Sequence, residues 1–414
     1  MTGDSTGIGL AEIGRGDPNS MKWRLQIAVL SIILIGMTVN IASQWLIDIT
    51  SFTGYSDNIT GIYDAKEDYI VIPNVQLSRI TESYEIYYSG SLTQFHQNNQ
   101  YNNVFQGGGV DFYRDHSSDF HSYYGLRFSL ANYQDDYSHY SYRLGDGYYY
   151  FKYYPKQWML VKGGVSLYYK KFIEEDAWNH WESMLYFQQN VFLKTKTTLR
   201  WGIDFLYRDF VPYESAGEAT TWYSGRGGHR ISSAVSEYEQ LPTLWQALLV
   251  FRIAQSFGKH LGGFTEYGYR YNPSEGNPYE LEIESFSPID DYFGYEGSYW
   301  TANLKFRYNG AFWSAVNYYH NYKKYVNRPV YQYDFDQQIW VTENDDYVIL
   351  GSNRIDFNNR IEFSFGYMIN RFLNKASNLE IVGSFAYRKN DSNDPYFDYD
   401  DKSVGLQLKY DLQW

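Results

Sequence analysis

The sequence predicts an all-β protein, specifically a transmembrane up-and-down antiparallel β-barrel of about sixteen strands. Three observations predict it: apolar and polar residues alternate with a period of two, the alternating segments are long, and their connections are short and long in turn. Aromatic residues make up 20% of the 414 residues, yet the mean hydropathy is −0.53. Tyr, Phe and Trp favour pleated, half-buried surfaces, which suits strands better than helices.

The C-terminal segment VGLQLKYDLQW shows the alternation clearly, because Val404, Leu406 and Leu408 alternate with Gly405 and Gln407. A period of two places successive side chains on opposite faces of a strand. Most such segments are long enough for a tilted membrane-spanning strand of about 9–11 residues, whereas strands of soluble proteins average about five or six. The predicted strands are 45–54, 68–77, 82–96, 104–113, 118–131, 139–152, 157–170, 179–190, 196–209, 241–255, 260–271, 294–307, 311–325, 355–368, 377–388 and 402–413.

The connections between these segments alternate in length. Short ones contain sequences such as SRIT and SFGK, and the long ones are 210–240, 272–293, 326–354 and 389–401. Membrane-spanning barrels have tight turns at one end and larger loops at the other, which matches this rhythm. The count stays open between fourteen and eighteen strands, because 45–54 and the Gly-rich 104–113 are weak and 326–354 could add a hairpin.

Residues 21–43 have the order of a secretory signal peptide. Lys22 and Arg24 open this segment, an apolar run follows, and the small residue Ser43 ends it. We predict cleavage near Ser43 rather than a retained anchor, because a membrane-spanning helix needs about 20 apolar residues. Residues 1–20 are expected to be a non-native extension or the product of a start site assigned too far upstream. The barrel domain would then comprise residues 44–414.

The signal peptide, the long alternating strands and the aromatic final residue resemble bacterial outer-membrane β-barrels of the porin-like class. In that class a last strand ending in Phe or Trp resembles the insertion signal that the barrel assembly machinery reads. Trp414 matches the final position, and Tyr410 and Leu412 match the preceding outward positions. The resemblance covers residues 44–414 and implies the bacterial outer membrane as location. It also implies outer-membrane lipid, lipopolysaccharide and the assembly machinery as partners.

Several tryptophans near strand ends are predicted to lie at the two membrane interfaces. Interfacial Trp and Tyr girdles are typical of membrane-spanning barrels, because an amphipathic ring suits the headgroup level. The predicted girdle residues are Trp158, Trp178, Trp181, Trp245 and Trp313.

The chain contains no cysteine and has a formal net charge of −13. It therefore has no disulfide, thiolate metal site or Cys nucleophile. We expect no nucleic-acid partner, because binding phosphates needs a basic surface. We also expect no cofactor and no dedicated metal site. We expect the acidic segments IEEDA, ELEIES and NDSNDPYFDYDD to be solvated loops, and calcium binding or bridging by divalent cations to lipopolysaccharide is the alternative.

Alternation assigns a set of charged side chains to the barrel interior. Unpaired charges are unfavourable in a dry core but not in a water-filled lumen. They either create a field that selects solutes or pair across strands and rigidify the wall, and the sequence leaves both open. The predicted lumen-facing residues are Glu85, Arg127, Arg200, Asp204, Arg252, Lys305, Arg307, Glu362, Glu380, Arg388, Lys409 and Asp411.

The loop at 210–240 contains WYSGRGGHRISS, where Arg226, His229 and Arg230 stand apart from the acidic composition of the other loops. We predict that these three residues form a constriction loop that bends into the lumen and faces its acidic side chains. A flexible, exposed loop is the alternative interpretation.

We do not expect an enzyme, because a barrel hydrolase needs a nucleophile and a base close together. The candidate residues are Asp115, His116, Ser117, His121, Asp135, Asp136 and Ser352, and no pair of them has a motif-level spacing.

The predicted function is a porin-like channel for passive diffusion of small polar solutes. Sixteen strands can enclose an aqueous channel, whereas eight cannot. The alternative is a closed barrel that acts through its long extracellular loops as an adhesin, receptor or assembly partner. The sequence does not determine the solute, whether the lumen is open, or whether the protein is a homo-oligomer.

Overall fold

The structure is a computed structural model that describes most of the barrel domain. It describes residues 44–413 except 217–219, 223–230, 234–235, 274–292, 309, 338, 344–345 and 371–376. The N-terminal extension and signal peptide at 1–43 lie outside the described residues. So do the constriction-loop residues Arg226, His229 and Arg230 and the terminal Trp414, and the statements made about them remain predictions.

Within the described residues, sixteen antiparallel strands close into one barrel in chain order, and the last strand pairs with the first. The strands are β1 (Gln44–Ser56), β2 (Asp68–Ile80), β3 (Tyr84–Phe95), β4 (Asn103–Asp115), β5 (Phe120–Tyr133), β6 (Tyr142–Lys156), β7 (Met159–Phe172), β8 (His180–Phe192), β9 (Thr197–Phe210), β10 (Leu244–Phe257), β11 (Leu261–Tyr271), β12 (Tyr295–Arg307), β13 (Phe312–Tyr331), β14 (Ile349–Asn370), β15 (Ser377–Ser392) and β16 (Tyr399–Gln413). The predicted all-β up-and-down barrel is confirmed, and sixteen is the strand count.

The last strand is ordered because it is hydrogen-bonded on both sides. Tyr410 of β16 stands opposite Leu379 of β15 and opposite Ile49 of β1. In lipid every backbone polar group must be paired within the protein, so a membrane-spanning sheet has to close in this way. The terminus that the sequence marks as a clean amphipathic strand is the closing strand of the barrel.

The two ends of the barrel differ in their connections. One end carries short turns such as 157–158 and 258–260, and the turn at Gly258 adopts a φ of 75°, which glycine tolerates. The other end carries the longer loops. The hairpin expected within 326–354 forms there, with Tyr333–Asp334 pairing Ile339–Trp340, and it stands outside the barrel wall.

Helical structure in the described part of the chain consists of short 3-10 turns such as Asp135–Tyr140, and none is long and apolar enough to cross a membrane. One predicted girdle residue packs against these turns. Trp178 lies in the loop between β7 and β8, where its ring meets Phe172 edge-on at 5.4 Å and stacks on Tyr140 at 5.7 Å. Trp178 therefore packs against neighbouring aromatic rings at the loop end, and its interfacial position stays a prediction.

Each strand has two unlike faces. On β16, Val404, Leu406 and Leu408 are 53%, 50% and 42% exposed, and the residues between them point the other way. The same period exposes large apolar side chains on one face of the other strands, such as Phe363 and Phe365 of β14. The opposite faces carry ion pairs that join neighbouring strands. An apolar exterior around a polar interior is the arrangement that a membrane-spanning barrel requires.

Candidate functional site

The inner face of β3 to β6 carries a network of charged and tyrosine side chains. Arg127 of β5 forms an ion pair with Asp146 of β6, with Nη2 2.7 Å from Oδ2. The Arg127 guanidinium also lies 4.5 Å from the ring centroid of Tyr148. Beside it, the Tyr113 hydroxyl donates to Glu85 Oε2 at 2.6 Å. Arg127 and Glu85, both predicted to face the lumen, are therefore held by partners on adjacent strands.

A second network lies on β9 to β12 and centres on Glu266. The Arg200 guanidinium pairs with Oε2 of Glu266, and Arg252 Nη1 lies 3.8 Å from the same oxygen. The Tyr299 hydroxyl donates to the other oxygen, Oε1, at 3.0 Å. Asp204 lies on the same face of β9 as Arg200. Arg200 and Arg252 therefore share one carboxylate oxygen of Glu266.

A third network joins β12, β13, β15 and β16 around Glu380. The Trp313 indole donates to Glu380 Oε1 at 2.7 Å, and Lys409 Nζ lies 3.8 Å from Oε2. Lys305 Nζ stands 4.2 Å from the Trp313 ring centroid, within the range of a cation–π interaction. The interfacial position predicted for Trp313 is therefore wrong, because its ring belongs to the charged inner wall.

Other predicted lumen residues lie at different heights along the same face. Glu362 accepts from Arg360 at 2.8 Å, and both side chains remain partly exposed. Asp411 stands opposite Asp48 at the closure of the barrel. Arg307 lies at the short-turn end of β12, where its backbone carbonyl accepts from the His260 ring at 2.8 Å.

Toward the loop end, the inner ion pairs become buried. Arg388 pairs with Asp401 at 3.1 Å, and Asp401 also accepts from the Ser56 hydroxyl at 2.7 Å. Arg208 and Glu182 form a pair at 2.8 Å whose side chains are only 4% and 2% exposed. The described part of the wall therefore carries paired charges along its height, with the most enclosed pairs near the loops.

Sequence reasoning missed many partners in these networks. Alternation alone could have found some of them. Glu266, for example, immediately precedes the outward-facing Tyr267, so it must face inward. Tyrosines stand on both faces, however, and they hide the parity of a segment such as GYYYF. The missed residues are Asp111, Asp146, Tyr148, Lys152, Lys162, Glu266, Tyr299 and Trp313.

The proposed insertion signal lies partly within the described residues. Tyr410 and Leu412 share the face of β16 that carries the exposed Leu408. Their role in recognition by the assembly machinery remains a prediction.

The candidate hydrolase residues form separate pairs. His121 Nδ1 lies 2.5 Å from Asp115 Oδ1, and His116 Nε2 lies 2.8 Å from Ser122 Oγ. Ser122 is 2% exposed, so its hydroxyl is closed to a substrate, and Ser352 belongs to the opposite end of the barrel. These pairs do not form the nucleophile–base–acid chain that hydrolysis needs. That the protein is not an enzyme remains a prediction.

The sequence leaves metal binding open for the acidic loops. Across the described residues, no group of three or more His, Asp or Glu side chains is placed to hold a metal ion. In the last acidic segment, the Asp394 carboxylate accepts from the backbone amide of Tyr396 at 3.1 Å. The segment ELEIES lies outside the described residues.

A closed sixteen-strand barrel with an apolar exterior and a charged interior is an outer-membrane barrel of the porin-like class, located in the bacterial outer membrane, as predicted. No protein-family model matches the sequence, and no curated protein matches it.

Among solved structures, the chain is similar to Acinetobacter baumannii OccAB1, with 8% identity and a TM-score of 0.49 over 90% of this chain and 96% of that one. It is also similar to Pseudomonas aeruginosa OccK1, with 10% identity and a TM-score of 0.45 over 90% and 99% of the two chains. A third is Pseudomonas aeruginosa OccK2 in complex with glucuronate, with 9% identity and a TM-score of 0.46 over 90% and 98%. These are distant similarities of shape, and the class assignment rests on the barrel itself.

Proposed function

We propose that this barrel is a channel for the passive diffusion of small polar solutes across the outer membrane. The observation that supports it best is the inner wall, where ion pairs and tyrosine hydroxyls recur around the circumference from β3 to β16. Many of these charges remain partly exposed, as in the Arg127–Asp146 and Arg360–Glu362 pairs. Partly exposed charges need water around them, and sixteen strands can enclose a water-filled lumen.

The arrangement of charged side chains on the inner wall supports a channel in which solutes bind at several separate positions, rather than one with a uniform electrostatic field. Arg200 and Arg252 share Glu266, so a passing anion can approach the second cation. Lys152 and Lys162 stand opposite each other on β6 and β7 and add positive charge. Tyrosine hydroxyls along the same face can exchange hydrogen bonds with neutral solutes as these shed hydration water.

Conductance of the purified barrel in planar lipid bilayers tests the proposal. We expect stepwise openings, because a water-filled lumen conducts salt. Replacing both partners of one inner pair, Arg127→Gln with Asp146→Asn, should change conductance or ion preference. The matched outward change Phe128→Leu should leave both properties unaltered. A correctly folded barrel that never opens would overturn the channel proposal.

A second candidate function is suggested by the order within the loops. Ile62, Tyr396 and Phe397 form a buried cluster against which Tyr63 and Tyr333 pack. The Tyr63 hydroxyl donates to that of Tyr333 at 2.8 Å. This cluster ties the β1–β2 loop, the β13–β14 hairpin and the β15–β16 loop together. A preformed loop surface of this kind is what an adhesin, receptor or assembly partner would present.

Deleting the hairpin at 333–347 distinguishes the two candidate functions. Strand β13 ends before this segment and β14 begins after it, so the deletion alters the loop surface and leaves the barrel strands intact. Loss of bacterial adhesion or surface binding with unchanged permeability would favour the loop function. Altered permeability without any loss of binding would favour the channel.

A further inference from the structure

A groove of about 620 Å³ runs along the outer face of β3 to β7. Gly108 and Gly145 form its floor, where the missing side chains leave a depression in the wall. Phe128, Tyr88 and Tyr169 border it, and Phe128 is 67% exposed. Alternation places all five residues on the apolar exterior of the barrel. The groove therefore faces the membrane.

Two cations line the same groove at its loop end. Arg143 is the second residue of β6 and Lys171 the penultimate residue of β7, and the two stand directly opposite each other. Like charges directly opposite on neighbouring strands are unfavourable. No ion pair within the described residues neutralises either of them. The nearby loop carboxylate of Glu174 accepts from the Ser138 hydroxyl at 3.0 Å.

Along the strand direction, the two cations lie next to the aromatic part of the groove, on the side of the long loops. Residues two positions apart on one face are separated by about 6.6–6.8 Å. Gly145 follows Arg143 by two positions, and Tyr169 precedes Lys171 by two. The charged row therefore lies about 7 Å nearer the loop end than the aromatic row. An anionic lipid has the same order, with its charged headgroup above its acyl chains.

We infer that this groove binds a phosphate-bearing glycolipid of the outer leaflet, with the phosphate between Arg143 and Lys171 and an acyl chain over Gly145 and Phe128. A phosphate would offset the repulsion between the two cations, and hydrogen bonds from charged donors to an oxyanion are the strong kind. The inference rests on the orientation predicted from the sequence, in which the long loops are extracellular. It does not depend on whether the lumen conducts.

Native mass spectrometry of the folded barrel in detergent, titrated with bis-phosphorylated lipid A, tests the site. Arg143→Gln with Lys171→Gln should weaken lipid A binding by about tenfold or more, because two charge-assisted contacts are lost. Arg114→Gln is the matched control, since Arg114 is an exposed cation at the short-turn end of β4. It should change binding by less than about twofold.

A second variant separates the groove from the charges. The Cβ that a residue would add at Gly145 meets the Phe128 ring at 3.4 Å, an ordinary contact, so Gly145→Leu fills the groove while both cations remain. It should also weaken lipid A binding. Dephosphorylated lipid A and phosphatidylglycerol should bind the wild-type barrel less tightly than lipid A.

Equal binding of lipid A and its dephosphorylated form would overturn the proposed phosphate contact. Unchanged binding in the Gly145→Leu variant would overturn the acyl position. Unaltered bilayer conductance in all these variants is expected, so a failed lipid site and a failed channel give different results.

Discussion

Trp201 and Trp313 show how the two faces of one wall use the same residue differently. Trp201 is on the outer face of β9, is 45% exposed, and donates its indole hydrogen to the neutral Gln189 at 2.9 Å. Trp313 is on the inner face of β13 and donates to the Glu380 carboxylate at 2.7 Å, with Lys305 over its ring. Both lie in the strand halves nearest the short turns. Parity along the strand, rather than residue type, decides which solvent each ring meets.

Ion pairs on the inner face differ in how much of each side chain is exposed to solvent. The Arg208–Glu182 pair near the loops is almost completely buried, whereas the Arg360–Glu362 side chains are 43% and 22% exposed. Water around the second pair screens its charges and can replace a lost partner. Little water reaches the buried pair, so an ion pair there contributes more to the free energy of unfolding than an exposed pair does.

The largest loss of stability is expected when the buried Arg208–Glu182 pair is disrupted. Glu182→Gln removes a carboxylate charge that Arg208 pairs with in an almost completely buried site, which should cost about 3–5 kcal/mol of unfolding free energy. Urea unfolding and refolding in lipid vesicles measures it. The matched change Glu362→Gln should cost only about 0–1 kcal/mol, because its partner Arg360 stays hydrated. Equal losses in the two variants would contradict the distinction.

The next largest effect tests the two faces of the closing strand. Leu406→Arg puts a charge into the lipid-facing exterior and should destabilise the barrel by about 2–4 kcal/mol. Gln407→Arg, one residue further along, points inward and should be tolerated. The fraction of protein that keeps the compact, unheated mobility on SDS gels reports the difference. If both variants fold equally well, the assignment of faces on β16 is wrong.

A smaller difference is expected between the two tryptophans. Trp313→Phe removes a hydrogen bond to a charged carboxylate, worth about 1.5–3 kcal/mol. Trp201→Phe removes one to a neutral amide, worth about 0.5–1.5 kcal/mol. Only the inward change should also alter single-channel conductance. A conductance change in Trp201→Phe would show that the outer ring influences the lumen.

The smallest effect concerns pH and the loop cluster. Burial raises the pKa of the Asp394 carboxyl, although the Tyr396 amide and the Arg354 guanidinium oppose the shift. The folded state therefore holds this proton more tightly than the unfolded state. The resulting stabilisation is present at low pH and is lost as pH rises through the folded pKa. Asp394→Asn should flatten the pH dependence of urea stability, and an unchanged slope would contradict this account.

Much of the barrel wall was predictable because its pattern is local. Residues such as Val404 and Leu406 alternate with smaller or polar neighbours, and a strand long enough to span a membrane needs about 9–11 of them in a row. An approximate strand count, the alternation of turns and loops, and the placement of β16 follow from that pattern, and closure of the barrel decides that the count is sixteen. The N-terminal segment and the constriction loop fall outside the described residues, so those predictions stand untested.

The partners of the inner charges were not predictable in the same way. Arg200 of β9 and Glu266 of β11 meet although they are 66 positions apart, with one long loop and the whole of β10 between them. In the segment AFWSAVNYYHNY, aromatic residues occupy both parities, so the alternation that exposes Phe312 and turns Trp313 inward is not obvious. A slip of one residue transfers every side chain to the other face.

By itself, the sequence determined the class of fold and an approximate number of strands, because period-two alternation is a property of neighbouring residues. Only the tertiary structure decided which charges pair, which tryptophan faces the lumen, and where Arg143 and Lys171 meet above an apolar groove. These features depend on the register between strands and on closure of β16 against β1. Register brings together residues that are far apart in the chain, and no local pattern records it.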